Sequence, residues 1–162
     1  MVSNILAYFK YLFHIKINEW RSGYRLFMFC RKNNCQISHI SNITGDLLRL
    51  KVGKGTVINS YANFRFKQGS ITIGQECLFG QNTTILANTY EMIPGMPIST
   101  ERMYSKDVTI GDQVWIGANV VIMPGISIGA NSVIASSAVV TKNVPAGEIW
   151  GGVPAKKISD KL

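Results

Sequence analysis

The chain has 162 residues, which fits one domain, and 46% of them are hydrophobic. This apolar content is enough to bury a core and excludes a disordered protein. The net charge is +8, and it is concentrated at the start, where residues 1–33 carry six basic residues against Glu19. That segment alone has a net charge of +5, and the other 129 residues hold the remaining +3.

Residues 1–35 are predicted to be a helical segment, because apolar residues recur at helical spacing at Ile5, Phe9, Leu12 and Phe13. No apolar run approaches the ~20 residues that a spanning helix needs. No long apolar core precedes a small-residue cleavage site either, so no signal peptide is expected. We therefore expect a cytoplasmic protein. Its basic, aromatic start either packs on the end of the domain or contacts the inner face of the membrane peripherally.

A repeat of six residues organises the chain from residue 36 to about 148. Apolar residues recur without a slip at Ile110, Ile116, Ile122, Ile128, Ile134 and Val140. The same period occurs at Ile73, Phe79 and Ile85 and, more faintly, from Val52 and Ile58. Six is not a helical period, and an apolar residue followed by a small one indicates short strands joined by tight turns. The pattern predicts an all-β solenoid with stacked apolar residues inside and an N-terminal helical cap over its end.

The repeat is predicted to break once, between Leu86 and Val108. Residues 87–107 hold polar and turn-forming residues, including Asn88, Pro94 and Gly95, and are too long for a repeat turn. We expect a loop that leaves the solenoid, and loops on a rigid scaffold often carry function. A passive insertion is the alternative. Residues 149–162 are predicted to form a short C-terminal tail.

Several stretches resemble the left-handed β-helix acyltransferases with hexapeptide repeats. The residues that carry the resemblance are 108–125 and 128–142, followed by Gly-Gly-Val-Pro-Ala at 151–155. Within that superfamily the chain is most similar to the galactoside, maltose and surface-glycan O-acetyltransferases, because residues 61–64 and 103–105 also match. The resemblance covers about residues 52–158. It implies a left-handed parallel β-helix; the hand does not follow from the spacing.

The resemblance also implies an O-acetyltransferase that uses acetyl-CoA, acts on a sugar or surface-glycan hydroxyl and assembles as a homotrimer. It places the acetyl-CoA contacts at Ala118, Ser136, Thr141, Lys142 and Lys156. Lys156 stands where the family usually has an arginine near the CoA 3′-phosphate; an ammonium serves a phosphate but loses the bidentate grip. A solvated surface is the alternative role for Lys142 and Lys156. Asn63 matches an asparagine on the acceptor side.

The histidine that the family uses as its general base is missing. Its position falls on Tyr90, give or take one residue, and residues 88–91 contain no histidine. Acetyl transfer to a hydroxyl needs a base to remove the proton. Three explanations stay open: Glu91 acts as the base, His39 enters from a neighbouring subunit, or the chain is a weak or inactive β-helix that binds CoA as a scaffold or regulatory subunit.

Other classes of protein fit the sequence less well. A γ-type carbonic anhydrase requires three zinc histidines per interface, and His14 and His39 are the two histidines present. Cys30, Cys35 and Cys77 have no metal-ligand spacing; Cys30 and Cys35 could bridge in principle, but free thiols are expected. No metal site is predicted. The basic charge has no nucleic-acid module around it. An acyltransferase for sugar nucleotides stays open.

Overall fold

The computed structural model describes residues 23–38, 41–99 and 101–160. Residues 23–33 form helix α1, and Leu47–Arg49 form a short 3₁₀ helix. No described helix has the length and apolar character needed to cross a membrane. The predicted helical residues 1–22, with His14, lie outside the described residues, and so does His39. The strands are β1 (Gln36–Ile37), β2 (Asn42–Gly45), β3 (Leu50–Val52), β4 (Val57–Ile58), β5 (Asn63–Phe66), β6 (Ile71–Ile73), β7 (Leu78–Phe79), β8 (Thr84–Leu86), β9 (Asn88–Tyr90), β10 (Met103–Ser105), β11 (Val108–Ile110), β12 (Trp115–Ile116), β13 (Val121–Ile122), β14 (Ser127–Ile128), β15 (Val133–Ile134), β16 (Val139–Val140), β17 (Glu148–Gly151) and β18 (Lys156–Asp160).

The strands form a three-sided solenoid in which each coil adds one short strand to each side. Sheet A has the order β1-β4-β7-β12-β15-β17-β18, sheet B the order β16-β13-β8-β5-β2, and sheet C the order β14-β11-β6-β3. All neighbours in these sheets are parallel except β17 and β18. The predicted fold class, a parallel β-helix, is confirmed.

The residues of the six-residue repeat form columns inside the solenoid. In sheet A, Ile58, Phe79, Ile116 and Ile134 are paired in register from one coil to the next, and each is at most 1% exposed. Phe79 also meets Phe64 of sheet B edge to face, with ring centroids 6.3 Å apart. Such burial is the main favourable term in folding, so the repeat supplies the core that holds the coils together.

The coils turn through residues in the left-handed backbone conformation. The corner between sheets A and B carries Asn82, Asn119 and Ser137, with φ of 58°, 58° and 62°. Asparagine tolerates this conformation better than most residues. The Asn82 side-chain amide also donates to the side-chain oxygen of Asn119 at 2.8 Å, which links the third and fourth coils at this corner.

The repeat breaks more often than the sequence predicts, and always at the corner between sheets B and C. Phe64 and Ile73 are nine residues apart (73 − 64), three more than the six between inward residues of a regular coil, because residues 67–69 form an additional bend between β5 and β6. The first coil adds the 3₁₀ helix Leu47–Arg49 at the same corner, and the third coil adds residues 87–107. The prediction of a single break is therefore wrong. The break in the second coil is hard to see in the sequence because the side chains of both Phe64 and Phe66 are buried.

The two ends of the solenoid are covered by different elements. At the N-terminal end, Leu26 of α1 is buried, and Phe29 and Cys30 pack against the core. At the C-terminal end, the segment predicted as a tail adds β17, parallel to β15, and β18, antiparallel to β17. The Lys157 ammonium pairs with Glu148 on the opposite strand of this hairpin at 2.9 Å and with Asp160 on its own strand at 2.7 Å.

Ile110→Ala is expected to lower the free energy of unfolding by about 2–5 kcal/mol, because it leaves a cavity in a stacked column. Thr109→Ala changes the preceding residue of β11, which is exposed, and should cost less than about 0.5 kcal/mol. Denaturant unfolding followed by circular dichroism measures both variants. Equal losses would mean that the inward column does not dominate stability.

Candidate active site

Small residues line the corner between sheets A and B in the fourth and fifth coils. The backbone N–H of Ser137 donates to the Ala118 carbonyl at 2.8 Å, so Ser136 lies directly over Ala118. A methyl group on Gly117 would stand 2.5 Å from the Ser136 nitrogen, so only glycine allows the two coils to approach this closely. With so little side-chain cover, an extended ligand can lie against the backbone of both coils.

This corner continues through the lower coils without a break. The N–H of Asn119 donates to the Gln81 carbonyl at 2.9 Å, and the N–H of Asn82 donates to the Ser60 carbonyl at 3.0 Å. Asn63 follows Ser60 by three residues in the second coil, at the start of β5. Strands in a sheet are about 4.8 Å apart, so the Asn63 coil lies roughly 10 Å from the Ala118 coil.

Two unusual residues mark the lower part of the corner. Tyr61 has a φ of 64° in the column that Asn82, Asn119 and Ser137 occupy above it, and its side chain is 62% exposed. A bulky residue in this conformation carries strain, and strained residues concentrate at functional sites. The side-chain oxygen of Asn63 is buried and has no hydrogen-bond partner among the described residues. An unpaired buried acceptor of this kind is a place for a ligand's donor.

An apolar stripe runs along the outer face of sheet A beside the same corner. Its members are paired in register from coil to coil: Val57, Leu78, Trp115, Val133 and Ile149. Leu78 is 45% exposed and Trp115 is 55% exposed. The corresponding outer positions of sheet C are polar, at Lys51, Thr72, Thr109 and Ser127. Contiguous exposed apolar surface of this kind marks an interaction site.

Residues 87–107 leave the solenoid as a two-stranded antiparallel ribbon. Tyr90 pairs with Met103, and the N–H of Glu91 donates to the Arg102 carbonyl at 3.1 Å. The side chains of Tyr90 and Glu91 are both exposed. Because successive residues along a ribbon point to opposite faces, Tyr90 and Glu91 do not share one face.

The base of the loop is held by side chains that bond to the extra residues of the second coil. An Asp107 carboxylate oxygen accepts the N–H of Ser70 at 2.7 Å, and the Asn88 side-chain oxygen accepts the N–H of Lys67 at 2.9 Å. The hydrogen bonds from Ser70 lower the pKa of Asp107, and the nearby Arg49 charge acts in the same direction. The insertions of the second and third coils therefore support one another.

Three further residues lie at the C-terminal end. Thr141 and Lys142 follow β16, at the corner beyond sheet B, and both are exposed. The N–H of Ala155 donates to the Val139 carbonyl at 2.8 Å, which brings the start of β18 against β16. Lys156 comes next and is exposed. Two exposed lysines are thus presented near the C-terminal end of the solenoid.

Comparisons with known proteins agree with this architecture. Residues 107–142 match the bacterial transferase hexapeptide family (six repeats). A galactoside O-acetyltransferase of Escherichia coli (strain K12) is 39% identical over 110 residues, which are 63% of this chain and 51% of that protein. A probable macrolide acetyltransferase of Lysinibacillus sphaericus is 32% identical over 131 residues, 78% of this chain and 67% of that protein. The chain belongs to the hexapeptide-repeat acetyltransferases.

A solved structure extends the comparison to three dimensions. The hexapeptide-repeat acetyltransferase of Vibrio cholerae O1 biovar eltor, complexed with acetyl coenzyme A, superposes with a TM-score of 0.66 at 28% identity. The match covers 84% of this chain and 76% of that one. The fold is accordingly the left-handed parallel β-helix. The chain spans about half the length of the galactoside O-acetyltransferases that it matches.

The structure groups the site residues named from the sequence into four places. Ala118 and Ser136 are stacked at one corner. Thr141, Lys142 and Lys156 lie at the C-terminal end of the solenoid, and Asn63 lies on a lower coil. Tyr90 and Glu91 stand apart on the loop ribbon. Sequence reasoning did not select Tyr61 or the apolar stripe. The sequence does contain a signal for the stripe, because each of Leu78, Trp115 and Val133 is apolar and directly precedes an inward residue of the repeat.

Asp107→Ala is expected to loosen the base of the loop and to speed proteolytic cleavage within residues 87–107 several-fold. The contribution of a carboxylate with a lowered pKa is complete above its unfolded pKa of about 3.9 and is lost as the pH falls below that value. The wild-type loop should therefore become sensitive below about pH 4. Glu101→Ala removes an exposed carboxylate from the same loop and is the control. Equal cleavage rates in both variants at pH 7 would contradict this role.

Proposed function

We propose that this chain is an acetyl-CoA-dependent O-acetyltransferase that acts on a hydroxyl of a sugar or surface glycan. The observation that carries the proposal is the hydrogen-bonded corner that runs from Ser136 down to Ser60, with small residues at Ala118 and Ser136 and an unpaired Asn63 oxygen near its lower end. It is supported by membership of the family and by the acetyl coenzyme A bound to the Vibrio cholerae relative.

Acetyl-CoA is proposed to lie along the corner, with its pantetheine arm against Ala118 and Ser136. Its phosphates would lie towards the C-terminal end, where Thr141, Lys142 and Lys156 offer a hydroxyl and two ammonium groups. The thioester would then lie towards the lower coils. This direction suits transfer, because it brings the acetyl group to the part of the corner where Tyr61 and Asn63 stand.

The acceptor hydroxyl is proposed to bind near Asn63 and Tyr61. The unpaired Asn63 side-chain oxygen can accept a hydrogen bond from a hydroxyl, and the exposed Tyr61 ring offers an apolar surface to a sugar. The names of the relatives support this class of acceptor, since one is a galactoside O-acetyltransferase. The macrolide acetyltransferase name leaves other hydroxylated acceptors as a second class.

We propose that the active assembly is a homotrimer whose subunits meet along the stripe on sheet A. Trp115 and Leu78 are large apolar side chains that a second subunit would remove from water. Because Trp115 precedes Ala118 by three residues, this interface would lie next to the acetyl-CoA corner.

A cytoplasmic location, with a peripheral membrane contact through residues 1–33, is part of the same proposal. The exposed side chains of Phe27 and Met28 of α1 favour such a contact.

Glu91 is the carboxylate proposed as the general base. It is exposed at the end of β9, so desolvation would have to come from a bound acceptor or a neighbouring subunit. His39 of a neighbouring subunit is the alternative base and lies outside the described residues. The rival function is a CoA-binding scaffold with little or no turnover. It is favoured by residues 88–91, where the histidine of the family would fall and which contain none.

Glu91→Gln is expected to reduce kcat by on the order of 10²-fold or more, since general-base catalysis contributes about that much. The assay should follow acetylated sugar by mass spectrometry, because the three cysteines of the chain interfere with thiol-release reagents. Glu101→Gln is the matched control, an exposed carboxylate of the same loop, and should keep wild-type turnover.

Other outcomes of this experiment discriminate among the alternatives. Turnover that survives in Glu91→Gln and is lost in His39→Ala would transfer the role of base to His39. Wild-type protein that binds CoA in calorimetry and acetylates none of a panel of glycosides would support the scaffold.

Lys156→Ala is expected to weaken the binding of CoA about two- to fivefold, the size of an exposed ionic contact. It should leave the binding of dephospho-CoA unchanged, because the proposed contact is to the 3′-phosphate. Lys156→Arg should bind CoA more tightly than wild type, since guanidinium grips a phosphate in two places. Lys51→Ala, at an exposed lysine of β3 in the first coil, is the calorimetric control. Equal weakening of both ligands in Lys156→Ala would contradict the assignment.

A further inference from the structure

Two cysteines meet at the end of α1, at the opposite end of the solenoid from Lys142 and Lys156. Asn34 has a φ of 51°, and the N–H of Cys35 donates to the Cys30 carbonyl at 3.1 Å. A residue in the left-handed conformation, together with a hydrogen bond from the N–H of the next residue to the carbonyl five residues before it, defines the Schellman helix ending. This ending brings the side chains of the two hydrogen-bonded residues into contact. Those positions usually hold apolar residues; here both are cysteine.

The thiols of Cys30 and Cys35 interact directly and have different surroundings. The two side chains lie side by side in one cleft, close enough for their thiols to interact. Cys35 is buried, whereas Cys30 is half-buried and closer to solvent. The thiol of Cys35 stabilises the thiolate of Cys30 and lowers the pKa of Cys30 to about 7, while the same interaction and burial raise the pKa of Cys35. Cys30 is thus suited to be the attacking nucleophile, and Cys35 is suited to be the resolving cysteine beside it.

The pair is accessible from a cleft. Cys30 and Cys35 both line a cleft of about 450 Å³ whose other walls include Leu26, Phe27 and Ile37, with Arg31 also present. Arg31 gives the cleft a positive charge that suits an anionic reagent. Cys77, in contrast, is 2% exposed within the solenoid, and burial raises its pKa.

We propose that Cys30 and Cys35 form a thiol–disulfide exchange site that reacts with small anionic disulfides such as glutathione disulfide. The Cys30 thiolate attacks one sulfur of the disulfide, forms a mixed disulfide and releases one thiolate. Cys35 then loses its proton and attacks the Cys30 sulfur, which gives the Cys30–Cys35 disulfide and releases the second thiolate. The incoming disulfide is reduced to two thiols as the cysteine pair is oxidised. This site does not depend on the proposed acetyl transfer.

Competitive alkylation of the reduced full-length protein tests the nucleophile. With limiting iodoacetamide at pH 7.5, peptide mass spectrometry should show Cys30 labelled at least tenfold faster than Cys77. The Cys30 rate should rise with a midpoint near pH 7, because only the thiolate reacts. In denaturant the two cysteines should react alike. Labelling of Cys30 no faster than that of Cys77 in the folded protein, or only above about pH 8.5, would overturn the proposal.

Treatment with glutathione disulfide tests the second step. The wild-type protein should lose two hydrogen atoms and show a Cys30–Cys35 linkage, with Cys77 free. Cys35→Ser should stop at a glutathione adduct on Cys30, and Cys30→Ser should form neither product. Circular dichroism checks that both variants keep the β-helix. The proposal fails if the wild-type protein accumulates a stable adduct, since Cys35 would then not resolve it, or if it remains reduced, since Cys30 would then not attack the disulfide.

Discussion

Hydrogen bonding in register between successive coils constrains nearly every described residue of the solenoid. Each coil must place its backbone on the one below, so an inward residue meets the same position of its neighbour, as Ile116 meets Phe79 and Ile134. The same constraint requires small residues where coils crowd together, at Gly117 for instance, and left-handed residues at the corners. Because this arrangement tolerates few residue types at each of these positions, a repeat of only six residues is visible in the sequence.

The constraint also explains where the chain is free to vary. The insertions of the first three coils all leave at the corner between sheets B and C, and the chain returns to the same register after each. Asp107 and Asn88 tie the longest insertion to the second coil. The proposed acetyl-CoA corner, between sheets A and B, has no such irregularity. The corner proposed for acetyl-CoA and the corner that carries the insertions are therefore different corners of one scaffold.

The sequence was sufficient to predict those parts of the fold in which a single physical requirement determines which residue types a position can hold. The inward positions from Ile110 to Val140 accept only apolar residues of similar size, so their spacing predicted the core. The extra residues at 67–69 were missed because Phe64 and Phe66 both point inward and mask the change in spacing. Tyr61 was not recognised as strained, since asparagine or serine occupies the left-handed position of this corner in the other coils. The identity of the proposed general base would depend on the bound acceptor and on neighbouring subunits, which neither composition nor spacing encodes.

The hairpin of β17 and β18 has a consequence for solubility. A stack of parallel strands presents an open edge at each end, and such an edge can template further strands of another molecule, as in amyloid. Here the last strand of sheet A runs antiparallel and carries Lys156, Lys157 and Asp160, all exposed. A second solenoid that approached end to end would meet the wrong strand direction and a charged rim. The hairpin therefore acts as a terminator that keeps a fold built by repetition from polymerising through the end of this sheet.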